Sequence, residues 1–303
     1  MNRFTILHLS DAHIGHPMWA LDQNTVMRPL LSDIKAISSS QPPELIVFSG
    51  DLVFGEVSGA SMESQLAESK VWLENIHNIW GKQVGDIKLL LVPGNHDIQR
   101  SRIDESQTDW LRSQTAETGI EKHVKTGTTL WRRILERQDL WWSFVKAIPN
   151  QPWQYNDHLR ISTGRIAFAD KTIGIVGYNS SWCSSGENEK GKLWLTRHQF
   201  ESGAHPIEDC DFRIAVIHHP VSWFHEREEA WLGPKLTSHF HLVLHGHLHN
   251  GWYNHLGDHA CISGGACWAG SQKENAYYWI HLDLRQPAIE LMARTYVDKG
   301  IGA

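Results

Sequence analysis

Apolar residues along the chain fall into short runs that end abruptly in polar loops. The runs at 4–9, 45–48 and 87–92 are rich in Leu, Ile, Val and Phe. Short apolar runs bounded by Gly, Pro or Ser are typical of buried strands. Between them, apolar residues recur at helical spacing, first from Val26 to Ile37 and then from Leu66 to Trp80. The resulting order β, α, β, α, β favours a largely parallel sheet.

The second half of the chain contains further predicted strands. They lie at 159–168, 172–178, 213–217 and 241–244, followed by a closing antiparallel hairpin of 277–284 and 289–297 around Arg285-Gln286-Pro287. Each of these runs has the length and the β-branched or aromatic content of a strand.

Residues 98–156 interrupt this alternation. Within them, 130–145 reads as one helix that is rich in aromatic residues, among them Trp131, Trp141 and Trp142. We interpret the segment as an inserted helical cap that is packed by its own tryptophans. The alternative is a platform on which nucleic-acid bases stack.

Residues of the types that commonly bind metals directly follow most of the predicted strands. They are Asp11, His13, Asp51, Asn95, His96, His218, His247 and His249. The carboxyl ends of parallel strands meet at one edge of a sheet, which is where such folds bind ligands. Without His96 the set has too many donors for one tetrahedral ion. Two ions sharing a carboxylate fit better, and ions about 3.5 to 4 Å apart promote displacement at phosphorus by an activated water. Hydrolysis of a phosphate ester is the chemistry indicated.

Five blocks in this order resemble the calcineurin-like metallophosphoesterase superfamily. The blocks are Asp11-x-His13, Gly50-Asp51, Gly94-Asn95-His96-Asp97, His218-His219-Pro220 and Gly246-His247-x-His249. The resemblance implies an α/β fold, a four-layer α-β-β-α sandwich of two mixed sheets with a dinuclear metal site at the strand C-terminal edges. It implies one domain over residues 1–303, with the helical cap inserted at about 98–156. Its implied activity is hydrolysis of phosphoester bonds by a metal-bound hydroxide.

The resemblance also implies a role for each site residue. Asp11, His13 and His249 would hold the first ion, Asn95, His218 and His247 the second, and Asp51 would bridge them. His96 would lie off the metals, stabilising the transition state or protonating the leaving oxygen, and Asp97 would orient its loop. His219 is the less favoured neighbour of His218. His245 is read as packing at a strand end, the alternative being a third imidazole of a His-x-His-x-His site.

The mixed oxygen and nitrogen donors suit Mn better than Mg or Ca, with Fe or Zn as alternatives. Among superfamily branches, the blocks resemble bacterial phosphodiesterases and exonucleases most. We therefore expect a phosphodiesterase acting on nucleotides or single-stranded nucleic acid. The alternatives are a phosphomonoesterase and a non-catalytic sensor module. Repair nucleases usually carry a histidine shortly after the Gly-Asp block, whereas residues 52–55 contain none. This difference argues against a nuclease acting on duplex DNA.

Composition and charge indicate the class of protein and the compartment in which it works. The chain is 41% hydrophobic and 20% charged, as in ordinary globular proteins, and its net charge of −6 gives no electrostatic footprint for duplex nucleic acid. The four cysteines form no CxxC pair, no N-terminal signal is recognisable, and no apolar run is long enough to cross a membrane. We expect a cytoplasmic protein. The wider pattern resembles phosphoesterase modules fused to NTPase domains, with a domain boundary at 299–303.

Overall fold

The structure, a computed structural model, describes residues 3–38, 42–81, 87–186, 188–285 and 288–296. Strands and helices are numbered in chain order. The first sheet contains, in spatial order, β12 (Ala288–Tyr296), β11 (Asn275–Asp283), β1 (Arg3–Leu9), β2 (Leu45–Phe48) and β3 (Lys88–Leu91). The second contains β4 (Gln154–Asn156), β5 (Ile161–Phe168), β6 (Lys171–Gly177), β7 (Phe212–Val216), β8 (Leu242–His245), β10 (His259–Ser263) and β9 (Trp252–Leu256).

Helices cover the outer faces of both sheets. They are α1 (Met27–Ser38), α2 (Met62–His77), α3 (Glu105–Ser113), α4 (Glu117–Thr126), α5 (Thr129–Leu135), α6 (Asp139–Lys146), α7 (Arg197–Ala204) and α8 (Glu226–His239). Helices α1, α2 and α6 contribute to the core beside the first sheet, and the others to the core beside the second. None of the described helices combines the length and apolar character needed to cross a bilayer.

Strand β1 shows how the sequence produces the layers. Successive side chains of a strand point to opposite faces. Phe4 and Ile6 therefore lie in the core between the two sheets, while Leu7 and Leu9 lie in the core shared with the helices. A strand buried on both faces reads as a continuous apolar run, which is the pattern observed here.

The predicted fold class is confirmed, because two mixed sheets face each other between layers of helices. Strands β1, β2 and β3 are parallel neighbours, as the chain order indicated, and β6, β7, β8 and β10 are parallel in the second sheet. Antiparallel β11 and β12 extend the first sheet. The expectation of a largely parallel sheet is thus right for the strands that carry the candidate donors.

The single helix predicted at 130–145 is wrong. The chain forms α5 and α6 with a 3₁₀ turn at Glu136–Gln138 between them. Polar contacts hold this turn: the carbonyl of Arg137 accepts a hydrogen bond from the Gln99 N–H, and the side chains of Gln138 and Asn179 bond to each other.

Most tryptophans of the predicted cap lie inside the protein, although Trp110 is half-buried. Trp131 packs in the core beside the second sheet, Trp141 packs in the core beside the first, and Trp142 is also buried. Buried rings offer no face on which a base could stack. A separate cap at 98–156 remains a prediction. The chain end at 299–303 and residues 286–287 of the predicted hairpin turn lie outside the described residues.

We expect Leu244→Ala, in the core between the sheets, to lower the free energy of unfolding by roughly 2 to 5 kcal/mol. Leu244 is 0% exposed, whereas Leu21 is 68% exposed. The matched variant Leu21→Ala should change stability by less than about 0.5 kcal/mol. Denaturant unfolding measures both, and equal effects would contradict the assigned core.

Candidate metal centre

The loops that carry the candidate donors all leave the carboxyl ends of parallel strands. Asp11 and His13 follow β1, Asp51 follows β2 and Asn95 follows β3. From the second sheet, His218 follows β7, and the loop with His247 and His249 follows β8. Because the two sheets face each other, these ends meet at one edge of the sandwich.

The backbone is strained at most of these donors. Positive φ angles occur at Asp11 (53°), His13 (47°), Asp51 (55°), His247 (73°) and His249 (57°). Residues with a Cβ rarely adopt this left-handed conformation, and such strain gathers at functional sites. Hydrogen bonds between loops hold it in place: Asp11 N–H donates to the Gly50 carbonyl at 2.9 Å and Gly246 N–H to that of His218 at 3.1 Å.

Asp11, His13 and His249, which the resemblance assigned to one ion, lie close together. One donor atom of each lies within 4.8 Å of the others. The Nε2 atoms of His13 and His249 are 3.1 Å apart, and His249 Nε2 is 3.4 Å from Asp11 Oδ1. Asp11 Oδ1 is buried and accepts no hydrogen bond from a described residue. A buried oxygen without a donor is costly, so this atom is suited to a bound cation.

Asn95, His218 and His247 form the other set. His218 donates its Nδ1–H to the Ser49 carbonyl at 2.8 Å, so in the neutral ring Nε2 carries a lone pair. That nitrogen lies 3.2 Å from Asn95 Oδ1, 3.3 Å from His247 Nδ1 and 3.3 Å from Asp51 Oδ2. His247 Nδ1 is in turn 3.0 Å from Asn95 Oδ1.

Asp51 joins the two sets. Its carboxylate groups with Asp11 and His218, and separately with His13 and His96, in each case within 4.8 Å. The Asp51 oxygen Oδ1 accepts the backbone N–H of His96 at 2.8 Å. This central position is the one that a bridging ligand of two ions requires.

Charges in the site favour a cation. Burial acts to lower the pKa of His218, but Asp51 and then Asp11 outweigh it and raise that pKa to about 9. Burial lowers the pKa values of His13 and His247 to about 3, so both rings are neutral at pH 7. The acceptors around His218 Nε2 thus require a positive charge among them, either a proton or a metal ion. The donor set fits divalent ions.

His96 is held through one ring nitrogen. Its Nδ1 donates to the Phe54 carbonyl at 2.7 Å, which fixes the ring. The imidazole stacks on the Phe54 ring with centroids 5.3 Å apart, and its centroid is 4.8 Å from that of His13. In the neutral ring Nε2 therefore carries the lone pair.

Three further predicted residues have distinct surroundings. Asp97 accepts the N–H groups of Val53 and Gly94 at 3.0 and 2.8 Å, the contacts of a residue that shapes its loop. Burial, reinforced by Asp51, raises the pKa of Asp97 to about 8. His219 groups with His218 and His247, although its Nδ1 contacts Ser180 Oγ at 2.8 Å. His245 Nδ1 donates to the Gly246 carbonyl, and the described metal-type clusters do not include it.

The carbonyls that orient the imidazoles were not predicted. Ser49 fixes His218 and Phe54 fixes His96, in both cases through the backbone. A backbone carbonyl has no signature in the sequence, so only the fold identifies it. The aromatic residue Phe54, three residues after Asp51, is the signal in the sequence that marks this part of the site.

The family follows from comparison with known proteins. A family model described as calcineurin-like phosphoesterase matches residues 4–251. The chain belongs to the calcineurin-like phosphoesterase family. The resemblance inferred from the five blocks is therefore confirmed. None of the curated proteins matches this calcineurin-like chain significantly.

A search of solved structures also found matches to this member of the family. A 5′-nucleotidase candidate from Staphylococcus aureus, in complex with alpha-ketoglutarate, is 14% identical, with a TM-score of 0.52, over 98% of this chain and 55% of that one. The chain thus spans about half of that protein. Phosphopantetheinyl hydrolase from Mycobacterium tuberculosis is 14% identical, with a TM-score of 0.42, over 87% of this chain and 90% of that one. A novel archaeal phosphodiesterase is 11% identical, with a TM-score of 0.38, over 96% of this chain and 99% of that one.

We expect Gly94→Ala to lower the affinity for Mn²⁺ by roughly 10- to 100-fold, the range typical of residues that orient metal ligands. A Cβ at Gly94 would lie 2.1 Å from Asp51 Oδ1 and 2.4 Å from the Asp51 backbone nitrogen, so the carboxylate must move. Titration calorimetry measures the affinity. At Gly233 in α8, the added Cβ would meet Val221 Cγ1 at an ordinary 3.7 Å. The control Gly233→Ala should bind as the unaltered protein does, and equal affinity in both variants would contradict the assigned site.

Proposed function

We propose that this chain is a metal-dependent phosphodiesterase acting on nucleotides or single-stranded nucleic acid. The observation that carries the proposal is the convergence of oxygen and nitrogen donors from five strand ends around Asp51, with His96 beside them. Each predicted donor is present, whereas members without activity usually lack some of them. A non-catalytic sensor module is therefore less well supported.

Two divalent ions are the proposed cofactors. Asp11, His13 and His249 would hold one, Asn95, His218 and His247 the other, and Asp51 would contact both. When bound, such ions activate water and offset the charge of a phosphoryl group. Mn is our proposal for activity, with Fe or Zn as alternatives, because carboxylate, amide and imidazole donors occur together.

His96 is the proposed catalytic residue. The Phe54 carbonyl holds its Nδ1–H, so the ring presents Nε2 in a fixed orientation. A positioned imidazole that carries a proton can give it to a leaving oxygen. The same ring, when protonated, would also place a positive charge beside the phosphoryl oxygens.

The choice of a diester rests on the resemblance of the Asp-x-His and Gly-Asn-His-Asp blocks to bacterial phosphodiesterases. The net charge of −6 weakens the case for duplex DNA as the substrate. All four cysteines are unpaired, which agrees with the proposed reducing cytoplasm. A fused or partner NTPase domain remains part of the proposal.

We expect metal-stripped protein to hydrolyse an aryl phosphodiester only after Mn²⁺ is restored, and faster than the matching monoester. His96→Ala should lower kcat by roughly 10²- to 10⁴-fold, the usual contribution of general acid catalysis. Release of nitrophenolate, compared among Mn²⁺, Ni²⁺, Zn²⁺ and Mg²⁺, measures both.

Metal content separates the roles of the histidines. His96→Ala should keep the metal content of the unaltered protein, because His96 is not a proposed ligand, whereas His249→Ala should reduce it. Monoester turnover alone would change the assignment to a phosphomonoesterase. Full activity of His96→Ala would refute the catalytic role.

A further inference from the structure

Trp223 lies directly beside the candidate centre. It ends a 3₁₀ turn, Val221–Trp223, that begins just after the His218-His219-Pro220 block. Its backbone is held from two sides, since its N–H donates to the Pro220 carbonyl at 2.9 Å and its carbonyl accepts the Gly191 N–H at 2.8 Å. The backbone of Trp223 is therefore held next to the loop that carries His218 and His219.

The indole touches a proposed ligand and keeps part of its surface exposed. Its centroid is 3.9 Å from that of His247 with the planes at 78°, an edge-to-face contact. The ring is nearly parallel to His219, at 6.1 Å and 28°. Trp223 as a whole is only half-buried. A half-exposed aromatic ring at a ligand site offers a face or edge to a substrate ring.

Phe54 occupies the opposite flank. It is also half-buried, stacks on His96 and lies edge-on to His13 with centroids 6.1 Å apart. The Phe54 ring thus lies beside His13 and His96, while the Trp223 ring lies beside His247. A phosphodiester between them has two ester groups, and each flank would receive one.

We propose that Trp223 determines specificity by stacking on an aromatic ester group that stays attached to phosphorus, such as an aryl group or a nucleobase-bearing nucleoside. The inference rests on the proposed phosphodiesterase function. With His96 as the acid, the leaving group lies on the Phe54 side, so the retained group lies toward Trp223. Base stacking on aromatic side chains tolerates any base, which suits a nucleotide substrate.

Other exposed aromatic residues are less well placed. Trp252 and Tyr253 on β9 are 40% and 72% exposed, but the ring that Trp252 contacts is His245, which is not a proposed ligand. Trp131, Trp141 and Trp142 of the predicted cap are buried, and the half-buried Trp110 packs on His123, which is not a proposed ligand. Among the described residues, Trp223 is the half-exposed tryptophan whose ring contacts a proposed ligand.

Two substrates with the same leaving group test the inference. Bis(p-nitrophenyl) phosphate retains an aryl group after hydrolysis, whereas methyl p-nitrophenyl phosphate retains a methyl group, and both release p-nitrophenolate. With the Mn²⁺-loaded protein, we expect Trp223→Leu to raise KM for the aryl-retaining ester by roughly 5- to 100-fold, as loss of one stacking contact predicts. KM for the methyl ester and kcat for both should stay within about twofold, and Trp223→Phe should recover most of the aryl preference.

Trp231→Leu is the matched control. Trp231 is also half-buried but packs on Phe200 and Arg197, away from the centre, so neither KM should change. Metal content should be equal in all four proteins. If Trp223→Leu alters both esters equally, or lowers the metal content, Trp223 only positions His247 and the inference is wrong. If the unaltered protein cleaves neither ester with any ion, the phosphodiesterase proposal itself fails.

Discussion

The mutual repulsion of electron-rich atoms at the edge of the two sheets is the constraint on which this structure depends. Three atoms, Asn95 Oδ1, His247 Nδ1 and Asp51 Oδ2, lie 3.2 to 3.3 Å from His218 Nε2. Such acceptors are stable together only when a positive charge lies among them. The raised pKa of His218 reflects this need for positive charge, which bound divalent ions would also satisfy. Metal binding at this site would therefore also balance the charge of the clustered acceptor atoms.

The fold supplies the rigidity that holds those atoms together. Parallel strands from two facing sheets direct their carboxyl ends to one edge, and hydrogen bonds between the loops fix left-handed conformations at five donors. Glycine is needed where two loops approach closely: a Cβ at Gly246 would lie 2.0 Å from Ser10 Oγ and 2.7 Å from Asp11 Oδ2. The strain is stored in the loops, while the buried sheets provide the stability that offsets it.

Sequence reasoning succeeded where one local signal determines the outcome. Buried parallel strands are continuous apolar runs, so Leu45–Phe48 was predicted to the residue. The proximity of the candidate donors could also be expected from the pattern, because each stands next to a strand end. It failed where tertiary contacts decide: the contacts of Arg137 and Gln138 divide one predicted helix into two. Strand β9 was missed because all five of its residues are exposed and show no alternation. The contact between Trp223 and His247 joins two separate loops, so it could be found only from the structure.

The central claim is that these side chains hold two ions bridged by Asp51. Diffraction from crystals soaked in Mn²⁺, recorded at the manganese absorption edge, tests it most directly. The account predicts two anomalous peaks about 3.5 to 4 Å apart, one beside His13 and His249, the other beside His218 and His247, with Asp51 contacting both. A single peak, or peaks away from Asp51, would contradict it.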